Sequence, residues 1–172
     1  MKAHRTQRAV RTLILSFTLL APSMALAQHD SPNQWYLFGA VGGWTEVGGR
    51  EGSVQIGAGI GYERLFFKGL GAGAEFQAFG FHEDGFLASA NVSYHLRNLG
   101  SRKFVPFGTI GVSLGGLCTY GCEGLGGYNF GGGFTYWVKP NRGLRAEFRD
   151  HILGYDAHTN SQKYEIRLGF AF

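Results

Sequence analysis

The chain has 172 residues, 44% of them hydrophobic and 16% charged, with a formal net charge of +4. Four of the 16 basic residues and none of the 12 acidic ones fall within residues 1–27, so the rest of the chain carries 12 of each sign and no net charge. A neutral chain lacks the persistent basic face that nucleic acid requires, which argues against such a partner.

Residues 1–27 have the three parts of a secretory signal peptide: a basic start (Lys2, Arg5, Arg8, Arg11), an apolar run over 13–20, and Ala25-Leu26-Ala27 as the cleavage site. The apolar run is too short for a spanning helix, which needs roughly 20 residues. The expected organisation is a signal peptide over 1–27, cleaved after Ala27, and one domain over 28–172. That domain holds all 29 glycines of the chain, well above the usual share of about 7%. They interleave with aromatic and β-branched residues inside alternating segments. In strands, glycine is tolerated where backbones or side chains must approach closely.

Eight such segments follow in order: Gln34–Trp44, Ser53–Phe66, Leu70–Phe81, Phe86–Leu96, Phe104–Gly115, Leu125–Val138, Leu144–His151 and Lys163–Phe172. Spanning strands need about 9–11 residues, and all but the seventh comfortably reach that length. Turn residues separate them, among them Lys68-Gly69, Glu83-Asp84-Gly85 and Pro140-Asn141. An even number of strands with short returns predicts an up-and-down meander.

Period-two alternation sorts the faces. In the second segment Val54, Ile56, Ala58, Ile60 and Tyr62 oppose Gln55, Gly57, Gly59, Gly61 and Glu63. The third, fourth, sixth and seventh behave alike, the seventh setting Leu144, Ala146 and Phe148 against Arg145, Glu147 and Arg149. Alternation in the first and fifth is broken, and their faces stay unassigned. The last nine residues are the clearest: Tyr164, Ile166, Leu168, Phe170 and Phe172 on one face, Glu165, Arg167, Gly169 and Ala171 on the other.

Periodicity does not say which face points inward. A soluble calycin-type barrel hides the apolar set, whereas a membrane barrel displays it. Two features favour the membrane. The polar set is half glycine and serine with charges of both signs, which suits a crowded lumen. Aromatics also gather at strand ends. Trp35, Tyr36, Tyr62, Phe66, Phe67, Tyr94, Phe104, Phe107, Tyr136, Trp137, Phe170 and Phe172 mark one rim; Trp44, Phe79, Phe81, Phe86 and Tyr164 mark the other. Paired aromatic girdles are what the two membrane interfaces select.

With these residues in view, Gly143–His151 and the terminal Tyr164–Phe172 strand ending on Phe resemble the small eight-stranded outer-membrane barrels of the OmpA/OmpX and opacity-protein type. The resemblance implies an all-β, eight-stranded antiparallel up-and-down transmembrane barrel, located in the bacterial outer membrane with both termini periplasmic. It implies barrel-assembly machinery as a partner, which reads the terminal strand as an assembly signal, and lipopolysaccharide as surroundings. The family shares no catalytic motif or cofactor, so none is implied.

The lumen of an eight-stranded barrel is just wide enough for side chains to fill it. Glu63, Glu75, Glu147 and Glu165 would share it with Arg145, Arg149 and Arg167. Buried charges are expensive unless paired, which predicts an internal salt-bridge network that plugs the barrel; the rival reading is a charged conduction path. Ser89, Asn91, Ser93 and His95 belong to the same lumen face. Cys118 and Cys122 bracket three residues of the fifth connection and are expected to form a disulfide in an oxidising compartment.

The connections at the two ends differ in charge. Lys68, Arg97, Arg102, Lys103, Lys139 and Arg142 fall on the periplasmic side. Glu46, Glu51, Glu83, Asp84, Glu123, Asp150 and Asp156 fall outside, with His82, His151 and His158. Outer carboxylates could share divalent cations with lipopolysaccharide phosphates. An enzyme acting on lipid A would need a nucleophile, a base and a carboxylate in reach of one another. Asp150, His151, Asp156, His158 and Ser161 supply the residue types near the last loop, without the His-x-Ser spacing of the deacylases. The expected role is therefore structural or surface-interacting, without catalysis. A lipid A-modifying enzyme and a minor small-solute channel are the alternatives.

Overall fold

The computed structural model describes residues 32–46, 53–80, 84–97, 103–118, 122–154 and 160–172. The expected signal peptide lies outside them, as do Glu51, Phe81, His82, Glu83, Arg102, Asp156 and His158. Eight strands make up the fold: β1 (Asn33–Glu46), β2 (Ser53–Phe67), β3 (Leu70–Gly80), β4 (Gly85–His95), β5 (Phe104–Cys118), β6 (Cys122–Lys139), β7 (Arg142–Gly154) and β8 (Asn160–Ala171). Each pairs antiparallel with the next, and β1 pairs with β8 from Tyr36↔Ala171 to Glu46↔Ser161, closing the barrel. The strands run 11 to 18 residues, enough to cross an apolar layer that needs about 9–11. Hydrogen bonds close around the ring, so no strand edge is left for lipid to meet.

The turn between β2 and β3 consists of Lys68 and Gly69, both at positive φ (47° and 94°). Positive φ at both central residues is the primed geometry whose twist matches that of the flanking strands. The turn between β6 and β7 uses Pro140, whose ring holds φ near −65°. Register shifts lie beside both turns, between Leu65 and Phe67 and between Trp137 and Lys139.

The apolar set faces outward. Ile110 (64%), Leu114 (67%), Tyr128 (69%) and Leu168 (65%) are as exposed as surface lysines usually are, whereas Arg149, Lys163, Glu165 and Arg167 are 1–3% exposed. Water would not tolerate this arrangement; hydrocarbon around the barrel does. The structure also settles the phase of the two irregular strands. Gln34, Tyr36, Phe38 and Ala40 of β1 and Val105, Phe107, Thr109, Ser113 and Leu117 of β5 face the lumen, while Trp35, Val41, Phe104, Ile110, Val112 and Leu114 face out.

Four aromatics assigned to the rims, Tyr36, Phe107, Trp44 and Phe79, instead face inward and are 4–6% exposed. Trp137 also packs inward. Parity along a strand, not nearness to its end, decides the direction of a side chain. These rings divide the lumen into layers. Trp44, Phe79, Leu87, Leu117, Leu125 and Leu153 form an apolar layer at the end bearing the β1–β2, β3–β4, β5–β6 and β7–β8 loops. Tyr36, Phe38, Ala40 and Ala171 form a second at the end bearing the turns and chain termini. Glycine makes room for them: a Cβ on Gly61 or Gly59 would overlap the ring of Tyr36 or Phe38 respectively.

Candidate functional site: a charged layer across the lumen

Between the two apolar layers lies a layer of charge built mainly by β7 and β8. Arg145, Glu147, Arg149 and His151 alternate inward on β7; Lys163, Glu165 and Arg167 do so on β8. The β7–β8 register sets Glu147 opposite Arg167 and Arg149 opposite Glu165. Directly opposed unlike charges stabilise a strand pair, and a one-residue slip would turn the whole set towards lipid.

The network then crosses the barrel. Glu75 on β3 receives Arg149 Nη2 at 3.1 Å through Oε1 and Arg167 Nη1 at 3.1 Å through Oε2, and Tyr36 donates its hydroxyl to Oε1 at 2.6 Å. Arg149 Nε donates to Glu147 Oε1 at 2.5 Å and Nη1 to Asn129 Oδ1 at 2.6 Å. Arg167 Nε pairs with Glu165, and its Nη2 donates to Gln77 Oε1 at 3.2 Å. Gln77 returns Nε2 to Glu165 Oε2 at 2.8 Å, and Lys163 caps the same carboxylate. Arg145 Nη2 lies 3.1 Å from Glu147 Oε2 and 3.8 to 4.3 Å separates its guanidinium from the ring centres of Phe107 and Tyr36. Glu63 lies 3.7 Å from Arg145 Nη1, takes His95 Nε2 at 3.0 Å, and accepts the Ser93 hydroxyl.

Among the described residues the lumen-facing carboxylates number four (Glu63, Glu75, Glu147, Glu165), and so do the buried Arg and Lys side chains (Arg145, Arg149, Lys163, Arg167), so the layer is formally neutral. Neutrality with multiple hydrogen bonds per group is what makes burial of eight charges tolerable. All seven lumen residues expected from the sequence meet in this layer. His95, Gln77 and Asn129 join it from the lumen face that alternation gave them, whereas Lys163, His151 and Tyr36 were not anticipated there. Lys163 shares the parity of Glu165 and Arg167, so carrying the alternation of β8 two residues further would have found it.

Of the residues considered for catalysis, Asp156 and His158 lie outside the described residues, and Asp150, His151 and Ser161 are not brought together. Asp150 and His151 belong to β7 rather than to a loop. His151 and Ser161 face the lumen, while Asp150 lies on the outer wall and accepts Gln162 Nε2 at 2.7 Å. A different serine meets His151: Ser113 Oγ is 3.2 Å from Nδ1, with Glu165 Oε1 3.6 Å from Nε2. Arg167 Nη2 also lies 3.2 Å from that Nε2, so the imidazole sits between a guanidinium, a carboxylate and the Ser113 hydroxyl. Ser113 and His151 are fully buried, with Ser89 and Asn129 also bonded to the hydroxyl at 2.9 and 3.0 Å. At the loop end Cys118 and Cys122 form a disulfide across directly opposed positions of β5 and β6.

No family model matches the sequence, and no curated protein matches it. Solved structures do. Neisserial surface protein A superposes with a TM-score of 0.65 at 18% identity, over 82% of this chain and 96% of that one. The N-terminal β-barrel domain of Pseudomonas aeruginosa OprF gives 0.53 at 15% identity, over 80% and 97%. Ail, the attachment invasion locus protein of Yersinia pestis, gives 0.53 at 15%, over 83% and 99%. The chain therefore has the fold of the small eight-stranded outer-membrane barrels.

Proposed function

We propose that this chain, with the fold of the small outer-membrane barrels, is an integral protein of the bacterial outer membrane whose lumen is closed and whose role is exercised at its surface, without catalysis. The observation that carries the closed lumen is Glu75. It holds two guanidiniums from the opposite wall, and apolar layers lie above and below it. A permeating ion would have to break these pairs. The lipid-facing apolar belt supports the location. A surface role is in keeping with the structural neighbours, among them a protein titled for attachment and invasion. One Ail structure contains the heparin analogue sucrose octasulfate.

In this reading residues 1–27 direct export and are removed after Ala27. Tyr164, Ile166, Leu168, Phe170 and Phe172 form the strand read by the barrel-assembly machinery, and the loops meet lipopolysaccharide. Expression in a Gram-negative host, followed by electrophoresis of unboiled and boiled outer membranes, tests the location. A membrane band that shifts on boiling is expected; a soluble periplasmic protein would sink the proposal. In planar bilayers the folded protein should give no current steps above background, and regular steps would restore the channel. An altered lipid A mass profile in expressing cells would restore the enzyme.

A further inference from the structure

The charge left outside the lumen is sorted by end. At the turn end Arg64, Lys68, Arg97, Lys103, Lys139 and Arg142 are all exposed, and among the described residues no exposed Asp or Glu side chain lies there, Glu63 being turned into the lumen. At the loop end the exposed charges among the described residues are Asp84 and Glu123. The six cations span the circumference from β2 to β7: Arg64 and Lys68 at the β2–β3 turn, Arg97 and Lys103 between β4 and β5, Lys139 and Arg142 flanking the β6–β7 turn. They form a positive collar with a gap at β8 and β1.

The collar lies at a definite depth. Trp35 (47%), Phe66 (60%), Phe67 (66%), Tyr94 (51%), Phe104 (40%) and Tyr136 (43%) are exposed at the same end of the barrel. Outward aromatics of this kind sit at the level of lipid headgroups. Arg64 faces outward within the paired part of β2, between Asn33 and Ala72. Lys68 Nζ lies 5.0 Å from the ring centre of Phe67. Long cationic side chains beside such rings extend their stems along apolar surface and put their charge at the phosphate plane.

We infer that this collar selects anionic glycerophospholipids, through their phosphates, in the leaflet at the turn end. Arg64, Lys68, Arg97, Lys139 and Arg142, with no exposed Asp or Glu side chain beside them among the described residues, draw counter-charge from what surrounds them at that depth, which is lipid headgroup. A soluble polyanion would fit a cationic groove or face better than a ring girdling a membrane rim. The inference rests on the membrane-barrel reading and on the termini being periplasmic, which makes the leaflet in question the phospholipid one.

The test is lipid selectivity at the barrel surface. The folded protein is reconstituted in phosphatidylcholine vesicles, and spin-labelled phosphatidylglycerol, phosphatidylcholine and lipid A are compared for the fraction immobilised at the protein. A cation near an anionic surface is worth about fivefold in association, and averaging over the lipid ring dilutes this to an expected preference of about two- to fivefold for phosphatidylglycerol over phosphatidylcholine. The quadruple variant R64Q/K68Q/R97Q/R142Q should bring the ratio close to one. So should about 1 M salt, where the Debye length is ~3 Å. A wild-type ratio of one, or a ratio the variant leaves unchanged, would overturn the inference and mark the collar as solvated charge. A variant-sensitive preference for lipid A but not phosphatidylglycerol would overturn it as well, placing the collar against the other leaflet. The boiling shift, run on the same samples, separates the causes: if wild type fails to show it, the barrel reading has failed; if wild type and variant both show it, only the collar is on trial.

Discussion

Replacing Glu75 by Ala removes the carboxylate that ties β7 and β8 to β3 across the lumen. Arg149 would keep Glu147, which its Nη2 also reaches, and Arg167 would keep Glu165, but Arg167 Nη1 and the Tyr36 hydroxyl would lose their hydrogen-bond acceptor. The layer would hold three carboxylates against four cations in a site that is 5% exposed at Glu75. Removing one partner of a buried pair leaves an uncompensated charge and costs about 3–5 kcal/mol. Glu75→Gln keeps an acceptor for the tyrosine and should fall between wild type and Ala. Reversible urea unfolding of the barrel from lipid vesicles, followed by tryptophan fluorescence, measures the difference. A double-mutant cycle with Arg167→Met then isolates the pair, since the Met–Ala double variant has lost both charges. A loss for Glu75→Ala below about 1 kcal/mol with an unchanged urea slope would refute the reasoning, because the value would then be that of an exposed pair.

Truncating Leu153, which is 0% exposed in the loop-end apolar layer, to Ala should cost about 2–5 kcal/mol in the same assay; a neutral result would mean the layer is not packed. Gly61→Val forces a side chain into the space of the Tyr36 ring and should weaken or abolish the boiling shift, whereas the same change at Gly124, which has nothing within 4 Å, should leave it intact. Ser113→Ala removes a hydroxyl bonded to Ser89, Asn129 and His151 and should destabilise by about 1–3 kcal/mol without altering lipid A; a changed lipid A profile would mean the hydroxyl is reached after all. Reducing the Cys118–Cys122 disulfide closes no long loop in reverse, so the loss should stay below about 3 kcal/mol, with the boiling shift preserved.

The eight strands were legible because each face repeats every second residue, a pattern that survives without any knowledge of neighbours. The same parity put Glu63, Glu75, Arg145, Glu147, Arg149, Glu165 and Arg167 on one face. It failed where short-range reasoning replaced it. Trp44 and Phe79 were assigned to a rim because they lie near strand ends, yet their parity turns them inward. His151 was weighed with the last loop because the seventh segment was ended at it, three residues short of the end of β7. The broken alternation of β1 and β5 has a local cause as well: Tyr36 and Phe38 are large residues on the lumen face, and only the glycines opposite them on β2 make that possible.

Sequence by itself determined the strand count, the alternating faces, the members of the charge set and the sorting of basic and acidic connections, all properties of one strand or one turn at a time. Closure of β1 on β8 decided the rest. Only in the closed barrel does the polar face become an interior, because a curved sheet has one concave side and the apolar residues occupy the other. Only there does Glu75 stand opposite Arg149 and Arg167, 74 and 92 residues away in the chain. Pair formation across the lumen depends on the shared curvature and register of all eight strands, and no single strand contains that information.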